Sequence, residues 1–199
     1  MNYFLLILFW IIYYAVHSIL ASTQVKEFFR KKIGKYFRYY RLAYSVFATI
    51  TLIFLLFFQY SFYSPFLIKS FFLKYFSTLF LVLPGLVIMF ISIKKYFMLL
   101  SGVRSIFIAT PPIELKVTGI HRFVRHPLYL GTILFVCGLF FLFPTISNLI
   151  AVVLLIAYVL TGIIFEEKKL IKEFGKTYEE YILKVPMLIP IFKNKKNRN

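Results

Sequence analysis

The stretch PLYLGTILFVCGLFFLFPTISNLIAVVLLIAYVLTGIIF, residues 127–165, contains two apolar runs with a single break between them. Both runs approach the length of about 20 residues that an α-helix needs to cross the hydrocarbon of a bilayer. Pro144 cannot continue the first helix, and the hydroxyl-bearing residues directly after it can cap the second. The stretch therefore predicts two membrane helices, Leu128–Phe143 and Thr145–Phe165, that form a tight hairpin.

The composition of the whole chain agrees with a membrane protein. Of its 199 residues, 61% are hydrophobic and 16% are charged, and the mean hydropathy is +0.83. Soluble domains are about 45–50% apolar and about 25% charged. The first apolar run is too long for the core of a cleaved signal peptide, so we interpret it as a retained span. We expect an all-α integral membrane protein with about five transmembrane helices, the other three being Tyr3–Ala21, Leu42–Tyr63 and Leu73–Ile93.

Lysine and arginine residues predict how the chain is oriented. All but two of the 24 fall in three segments, namely 26–41, 94–125 and the residues after Phe165. Because cytoplasmic loops are enriched in these residues, we expect the N-terminus outside and the C-terminus in the cytoplasm. This rule and attraction to anionic lipid headgroups account for most of the net charge of +17. The basic residues flank spans, so nucleic acid is not predicted as a partner.

The stretch HRFVRHPLYLG, residues 121–131, gathers positive charge in front of a span. Proline suits the first position of a helix, whose free N–H groups form a positive pole. Arg122, Arg125 and His126 stand beside that pole, which indicates an anion site. Gly131 lies one turn inside, where it allows close approach of a ligand or of a neighbouring helix. In the alternative interpretation the arginines only reach up to lipid headgroups.

Two acidic residues, Glu166 and Glu167, follow the last span directly. Carboxylates near a bilayer are costly and usually have a partner. If the helix ended there, their charge would oppose its dipole. Since the two ends of a hairpin meet, we expect the acidic pair to face Arg125 and His126. This pattern fits either an inter-helix salt bridge or a zwitterionic ligand held between the two clusters.

The stretch EEKKLIKEFGKTYEEYILKVPMLIP, residues 166–190, predicts two short cytoplasmic amphipathic helices. Gly175 is placed to end the first helix, and Pro186 to end the second. The stretch fits either a helix pair lying on the membrane surface or a lid over the anion site. Its apolar residues recur at intervals of three or four and form one stripe, which consists of Leu170, Phe174, Tyr178, Tyr181 and Val185.

These motifs resemble the C-terminal signature of the isoprenylcysteine carboxyl methyltransferase and phospholipid methyltransferase superfamily. The similar elements are a glycine at 119, Arg-His-Pro-x-Tyr-x-Gly at 125–131, Glu-Glu, Phe-Gly-x-x-Tyr-x-x-Tyr and Val-Pro. In the front half, HSILAS, RYYRLAYS and LLSGVRSIF resemble bacterial NnrU-type membrane proteins and methanethiol S-methyltransferases. The resemblance implies front helices over 1–116, a cofactor-binding module over 117–190 and a basic tail over 191–199, in a bacterial inner membrane.

The resemblance also implies that S-adenosylmethionine binds at the cytoplasmic end of the hairpin. Lys184 stands where such methyltransferases often have arginine, which weakens the expectation of carboxylate recognition. The residues expected to act in catalysis are Arg125, Glu167 and Lys184. The residues expected to bind the cofactor are Gly119, His121, Arg125, His126, Tyr129, Gly131, Glu166 and Glu167.

The reaction implied is direct in-line methyl transfer, which needs no metal and depends mainly on positioning. The acceptor is a small or lipophilic molecule, and a thiol, a prenylcysteine carboxylate and a lipid amine all fit. His17, near the end of the first span, fits either a general base or a packed interfacial residue. Two other functions fit the same hairpin: an NADPH-dependent reductase of the sterol reductase type, and a non-catalytic NnrU-type protein.

Overall fold

The computed structural model describes residues 3–61, 63–100, 115 and 117–190. These residues form seven α-helices, with short 3₁₀ turns at Gly34–Tyr39 and Gly119–Arg122. The helices are α1 (Tyr3–Ala21), α2 (Thr23–Ile33), α3 (Tyr40–Tyr60), α4 (Phe71–Leu100), α5 (Pro127–Leu142), α6 (Ile146–Phe174) and α7 (Lys176–Lys184).

Four of these helices, α1, α3, α4 and α6, are long and apolar enough to cross a membrane. The fifth apolar helix, α5, has 16 residues and is shorter. The expectation of an all-α, multi-pass membrane protein is therefore confirmed in the described residues. A total of five spans stays a prediction, because α5 falls short of the usual length.

The predicted hairpin is formed by α5 and α6. The first helix begins at Pro127, as expected, and the side chain of Thr145 caps the second by accepting a hydrogen bond from the N–H of Asn148 at 3.3 Å. However, α6 does not end at Phe165. It continues to Phe174, because the intervening residues are good helix formers and the first residue that breaks the helix is glycine. The acidic pair thus lies inside a helix, and the prediction that it ends one is wrong.

The predicted pair of short amphipathic helices is likewise corrected in part. The first of the two is the continuation of α6, and only the second, α7, is a separate helix. Gly175 separates them with a φ of +54°, a conformation that glycine adopts without strain. Its N–H donates to the carbonyl of Ile171 at 2.8 Å, as expected for a residue that ends a helix.

The most extensive helix contact joins α4 and α5, which run antiparallel. Gly131 and Gly138 of α5 face Gly85 and Val82 of α4. A Cβ atom built on Gly131 would lie 2.8 Å from Cγ of Met89 and 2.9 Å from the carbonyl oxygen of Gly85. The small residues therefore let two backbones approach closely, as is usual between membrane helices.

A buried polar relay joins three helices at the end of the bundle away from the acidic pair. Nε1 of Trp10 in α1 donates to Oε1 of Gln59 in α3 at 2.9 Å. Nε2 of Gln59 donates in turn to Oδ1 of Asn148 in α6 at 2.6 Å. Each side chain is at least nine-tenths buried. The relay fixes the order of α1, α3 and α6 within the bundle.

The segment 96–108 is apolar, but it is too short to cross a bilayer and contains Arg104, so its sequence predicts an interfacial or re-entrant piece. It lies largely outside the described residues. Its first five residues continue α4, which runs to Leu100. The basic tail at 191–199 also lies outside the described residues.

Candidate functional site

One carboxylate of α6 joins the two basic residues that precede α5. Oε1 of Glu167 accepts a hydrogen bond from Nε of Arg125 at 2.7 Å and lies 2.9 Å from Nε2 of His126. The neighbouring carboxylate, Oε2 of Glu166, accepts from the hydroxyl of Tyr129 at 2.9 Å. These five residues bring the first turn of α5 against α6, and we call this cluster the acidic–basic site.

Burial differs sharply within the acidic–basic site. The side chains of Arg125 and His126 are 8% and 5% exposed, and that of Glu167 is 17% exposed. Glu166 is 44% exposed and lies 4.0 Å from Nδ1 of His126. The buried half of the site is therefore an internal ion pair, while Glu166 presents a carboxylate at its open side.

Arg125 also holds the chain segment that follows α7. Its Nη1 donates to the carbonyl of Ile182 at 3.2 Å and to that of Val185. The backbone N–H groups of Arg125 and His126 donate to the carbonyls of Pro186 and Met187 at 2.9 and 3.1 Å. The guanidinium of Arg125 thus donates hydrogen bonds both to the carbonyls at the end of α7 and to the carboxylate of Glu167 in α6.

The apolar stripe predicted for the C-terminal segment packs as one cluster, which is confirmed in the described residues. Tyr178 is 1% exposed and packs with Tyr181, Val185 and Phe174. The hydroxyl of Tyr181 donates to the carbonyl of His121 at 2.6 Å. Burial and the nearby Glu167 carboxylate raise the pKa of Tyr178 above its usual range. Helix α7 therefore covers the acidic–basic site and does not lie apart from it.

The structure brings five of the expected residues together, namely Arg125, His126, Tyr129, Glu166 and Glu167. Of the two arrangements that the sequence left open, the inter-helix salt bridge is the one formed here. The backbone N–H groups of residues 125 and 126 are paired with the segment after α7. These two groups precede the first turn of α5, so the anion site predicted at the N–H groups of that turn stays a prediction.

The other expected residues lie outside this cluster. Lys184 is 73% exposed and lies 3.7 Å from Glu180, one turn earlier on α7. Gly131 contacts α4, so the missing side chain serves helix packing. Gly119 occupies an exposed turn with a φ of +66°. Nδ1 of His121 lies 3.2 Å from the carbonyl oxygen of Arg125.

Two cavities adjoin α1. The larger, about 800 Å³, lies between α1 and α6 and reaches Tyr129 of the acidic–basic site. The smaller, about 430 Å³, lies between α1 and α3. His17 lines both.

Three polar residues of the larger cavity, Tyr14, Ser18 and Tyr158, were not identified as site residues from the sequence. Tyr14 stacks on Tyr158 with ring centroids 4.3 Å apart, and the hydroxyl of Ser18 donates to that of Tyr158 at 3.2 Å. The hydroxyl of Tyr14 is buried and has no hydrogen-bond partner among the described residues. The sequence does contain one signal for them: Tyr14 and Ser18 are four residues apart, which puts their hydroxyl groups on the same face of the helix.

The sequence model of the phospholipid methyltransferase family matches residues 73–177. A methanethiol S-methyltransferase of Crocosphaera subtropica is 34% identical over 103 residues, which cover 48% of this chain and 39% of the relative. Methanethiol S-methyltransferase 2 of Bradyrhizobium diazoefficiens is 38% identical over 98 residues, which cover 46% of this chain and 36% of the relative. The chain thus spans less than two fifths of the length of these curated relatives. No solved structure matches it.

Proposed function

Since this chain belongs to the phospholipid methyltransferase family, we propose that it is a membrane methyltransferase that moves a methyl group from S-adenosylmethionine to a small thiol. The observation that carries this proposal is the convergence of Arg125, His126 and Tyr129 on the carboxylates of Glu166 and Glu167. All five residues lie within the part of the chain that the family model matches. The thiol is taken from the names of the relatives.

The residues present fit S-adenosylmethionine. Glu166 is half-exposed beside Tyr129, and it would hold the ammonium group of the donor. The unpaired hydroxyl of Tyr14 offers a further polar contact in the adjoining cavity. The stacked rings of Tyr14 and Tyr158 suit a positively charged sulfur, because aromatic faces attract cations. The donor supplies an activated methyl group, so the chain has mainly to position the acceptor.

The lining of the two cavities favours an acceptor that is small and uncharged in solution. Most lining residues are apolar, and the polar ones other than His17 carry hydroxyl groups. Lys184, which stands where such methyltransferases often have arginine, is 73% exposed and pairs with Glu180. Both features support a small thiol over a prenylcysteine carboxylate as the acceptor.

We further propose that the acidic–basic site faces the cytoplasm of a bacterial inner membrane, with the N-terminus outside. The support is the concentration of lysine and arginine around this end of the bundle. The test is labelling of single cysteines placed at Ser61 or Lys184 in a Cys137→Ser background. An impermeant reagent added to intact cells should label the first position only, and the reverse pattern would contradict the orientation.

The first experiment is calorimetric titration of S-adenosylmethionine into the purified protein in detergent. Glu166→Gln should weaken binding by about tenfold or more, since a hydrogen bond to a charged group is worth about 1.5–3 kcal/mol. Glu173→Gln, an exposed change further along α6, is the matched control and should bind like the wild type. If Glu166→Gln bound S-adenosylmethionine with the affinity of the wild type, the donor would not bind at the acidic–basic site.

A second assay tests the reaction itself. Wild-type protein supplied with S-adenosylmethionine and methanethiol should release dimethyl sulfide, which gas chromatography of the headspace measures. Binding of NADPH in place of S-adenosylmethionine would support the reductase alternative. Binding of neither molecule by folded protein would support the non-catalytic one.

A further inference from the structure

His17 is shared by the two cavities that flank α1. It lines the smaller cavity together with Tyr44 of α3 and the larger one together with Tyr158 of α6. The larger cavity also reaches Tyr129, whose hydroxyl group binds Glu166. One continuous space therefore connects the proposed donor site with the imidazole ring of His17.

The contacts of His17 hold its ring between three helices. The hydroxyl oxygen of Tyr44 lies 2.8 Å from Nε2 and 3.1 Å from Nδ1. The ring of Tyr158 meets the imidazole edge to face, with centroids 6.2 Å apart. The side chain is half-buried and lies one turn before the end of α1. These contacts orient the ring towards the cavities and distinguish it from a histidine that merely sits at the membrane surface.

His17 differs from the other residues that line the cavities in its acid–base chemistry. Among the described residues that line either cavity, it is the only one whose side chain ordinarily titrates near neutral pH. The others are apolar, or carry the hydroxyl groups of serine, threonine and tyrosine. The nearby carboxylates have other roles, since Glu167 pairs with Arg125 and His126, and Glu166 is the proposed ligand of the donor's ammonium group.

A thiol attacks as its thiolate, so its proton must leave when the new bond forms. We infer that His17 is the general base that takes this proton and that Tyr44 positions the ring, an inference that rests on the proposed function. The S–H bond breaks and the proton moves to Nδ1, the imidazole nitrogen that lies farther from the Tyr44 hydroxyl, while Nε2–H donates to that hydroxyl. The sulfur electron pair then forms the bond to the methyl carbon, while the carbon–sulfur bond of the donor breaks and leaves its electrons on the departing thioether.

The decisive variant is His17→Gln, which keeps a hydrogen bond to Tyr44 but is not basic. Its rate is measured with methanethiol, a weak acid, and with thiophenol, which is largely ionised at neutral pH. The variant should lose about 100- to 10,000-fold in kcat with methanethiol, the usual contribution of a general base. With thiophenol it should stay within about threefold of the wild type, because an ionised thiol needs no base.

The outcomes separate this inference from the proposed function. S-adenosylmethionine binding by calorimetry should be the same in His17→Gln and the wild type. If the wild type neither binds the donor nor methylates either thiol, the proposed function fails. If the wild type does both, an equal loss with both thiols in the variant would assign a structural role to His17. No loss with either thiol would also overturn the inference.

Two measurements do not depend on the folding or the turnover of the variant. In the wild type, kcat/KM for methanethiol should fall at acid pH, where the ring of His17 is protonated, and should be level above that range, because the thiol itself ionises only well above neutral pH. The titratable groups that face the ring are Tyr13 of the same helix, Tyr44 and Tyr158, all phenols.

The second measurement is the nitrogen-15 NMR spectrum of histidine-labelled protein without methyl donor. The chain has three histidines, and the His17 signal is assigned by its absence from the variant. Bound thiophenolate should shift this signal towards that of imidazolium, because a negative charge beside the ring favours its protonated form. An unchanged His17 signal at saturating thiophenol would overturn the inference.

Discussion

Arg125 and Glu167 are separated by 42 positions in the chain and joined by a 2.7 Å hydrogen bond between Nε and Oε1. Both side chains are largely buried, and the arginine extends further to the carbonyls at the end of α7. Three helices thus depend on one ion pair. Glu167 adjoins Glu166, the proposed ligand of the donor's ammonium group, so we expect stability and binding to be coupled there.

Replacing Glu167 by glutamine should destabilise the fold. The amide keeps the shape of the side chain but leaves the buried Arg125 without a negative partner. Hydrogen bonds to charged groups contribute about 1.5–3 kcal/mol each, so we expect a loss of about 2 kcal/mol. The loss in the free energy of unfolding is measured by unfolding with sodium dodecyl sulfate in mixed micelles, with Glu173→Gln as the control. Equal stability of the two variants would contradict the role of the ion pair.

Replacing Arg125 by lysine should loosen the segment around α7. One ammonium group cannot reach the Glu167 carboxylate and the carbonyls of Ile182 and Val185 together. Chymotrypsin should therefore cut at the buried tyrosines of α7 roughly tenfold faster, which corresponds to about 1.4 kcal/mol of local stability. Arg122→Lys, at an exposed position three residues earlier, is the control. Unchanged cleavage of the Arg125 variant would show that α7 is held by its apolar contacts alone.

Replacing Gly131 by alanine should separate α4 from α5. The added Cβ atom would lie 2.9 Å from the backbone carbonyl oxygen of Gly85, so the backbone must shift. Overpacking of this kind costs about 1–3 kcal/mol. Gly162→Ala is the control, since nothing lies within 4 Å of its added Cβ atom. The same unfolding assay should show a loss in the first variant and none in the second.

Replacing Gln59 by leucine should break the relay between α1, α3 and α6. Nε1 of Trp10 and Oδ1 of Asn148 would then be buried without their partner. We expect a loss of about 2 kcal/mol in the free energy of unfolding. The affinity for S-adenosylmethionine should not change, because the relay lies at the opposite end of the bundle. Gln24→Ala on the exposed face of α2 is the control for stability.

The hairpin and the meeting of its charged ends were predictable from the sequence. Pro127 and Pro144 mark where α5 begins and where it can no longer continue, and the connection to α6 is too short for any but an antiparallel pair. The residues at the two ends must then face each other. This is why the pairing of Arg125 and His126 with the acidic residues followed from the order of the chain alone.

Other parts depend on tertiary placement and were not predictable. Hydropathy marks where a helix leaves the membrane and not where it ends, so the extension of α6 to Phe174 was missed. The pattern around Gly131 allowed either a ligand or a helix, and only the position of α4 decides between them. The bonds from Arg125 to the carbonyls of α7 involve backbone groups, which every residue has and no motif distinguishes.

The short helix α5 has a consequence for the depth of the site. Its 16 residues span about 24 Å, whereas the hydrocarbon core of a bilayer is about 30 Å thick. If α5 crosses the bilayer, as the sequence predicts, this hydrophobic mismatch is relieved when the bilayer thins locally or the helix end stays below the headgroups. In either case Tyr129, in the first turn of α5, comes closer to the bilayer midplane than it would on a full-length span. The proposed charged donor, arriving from water, and the proposed thiol, dissolved in lipid, would then meet at a depth that both can reach.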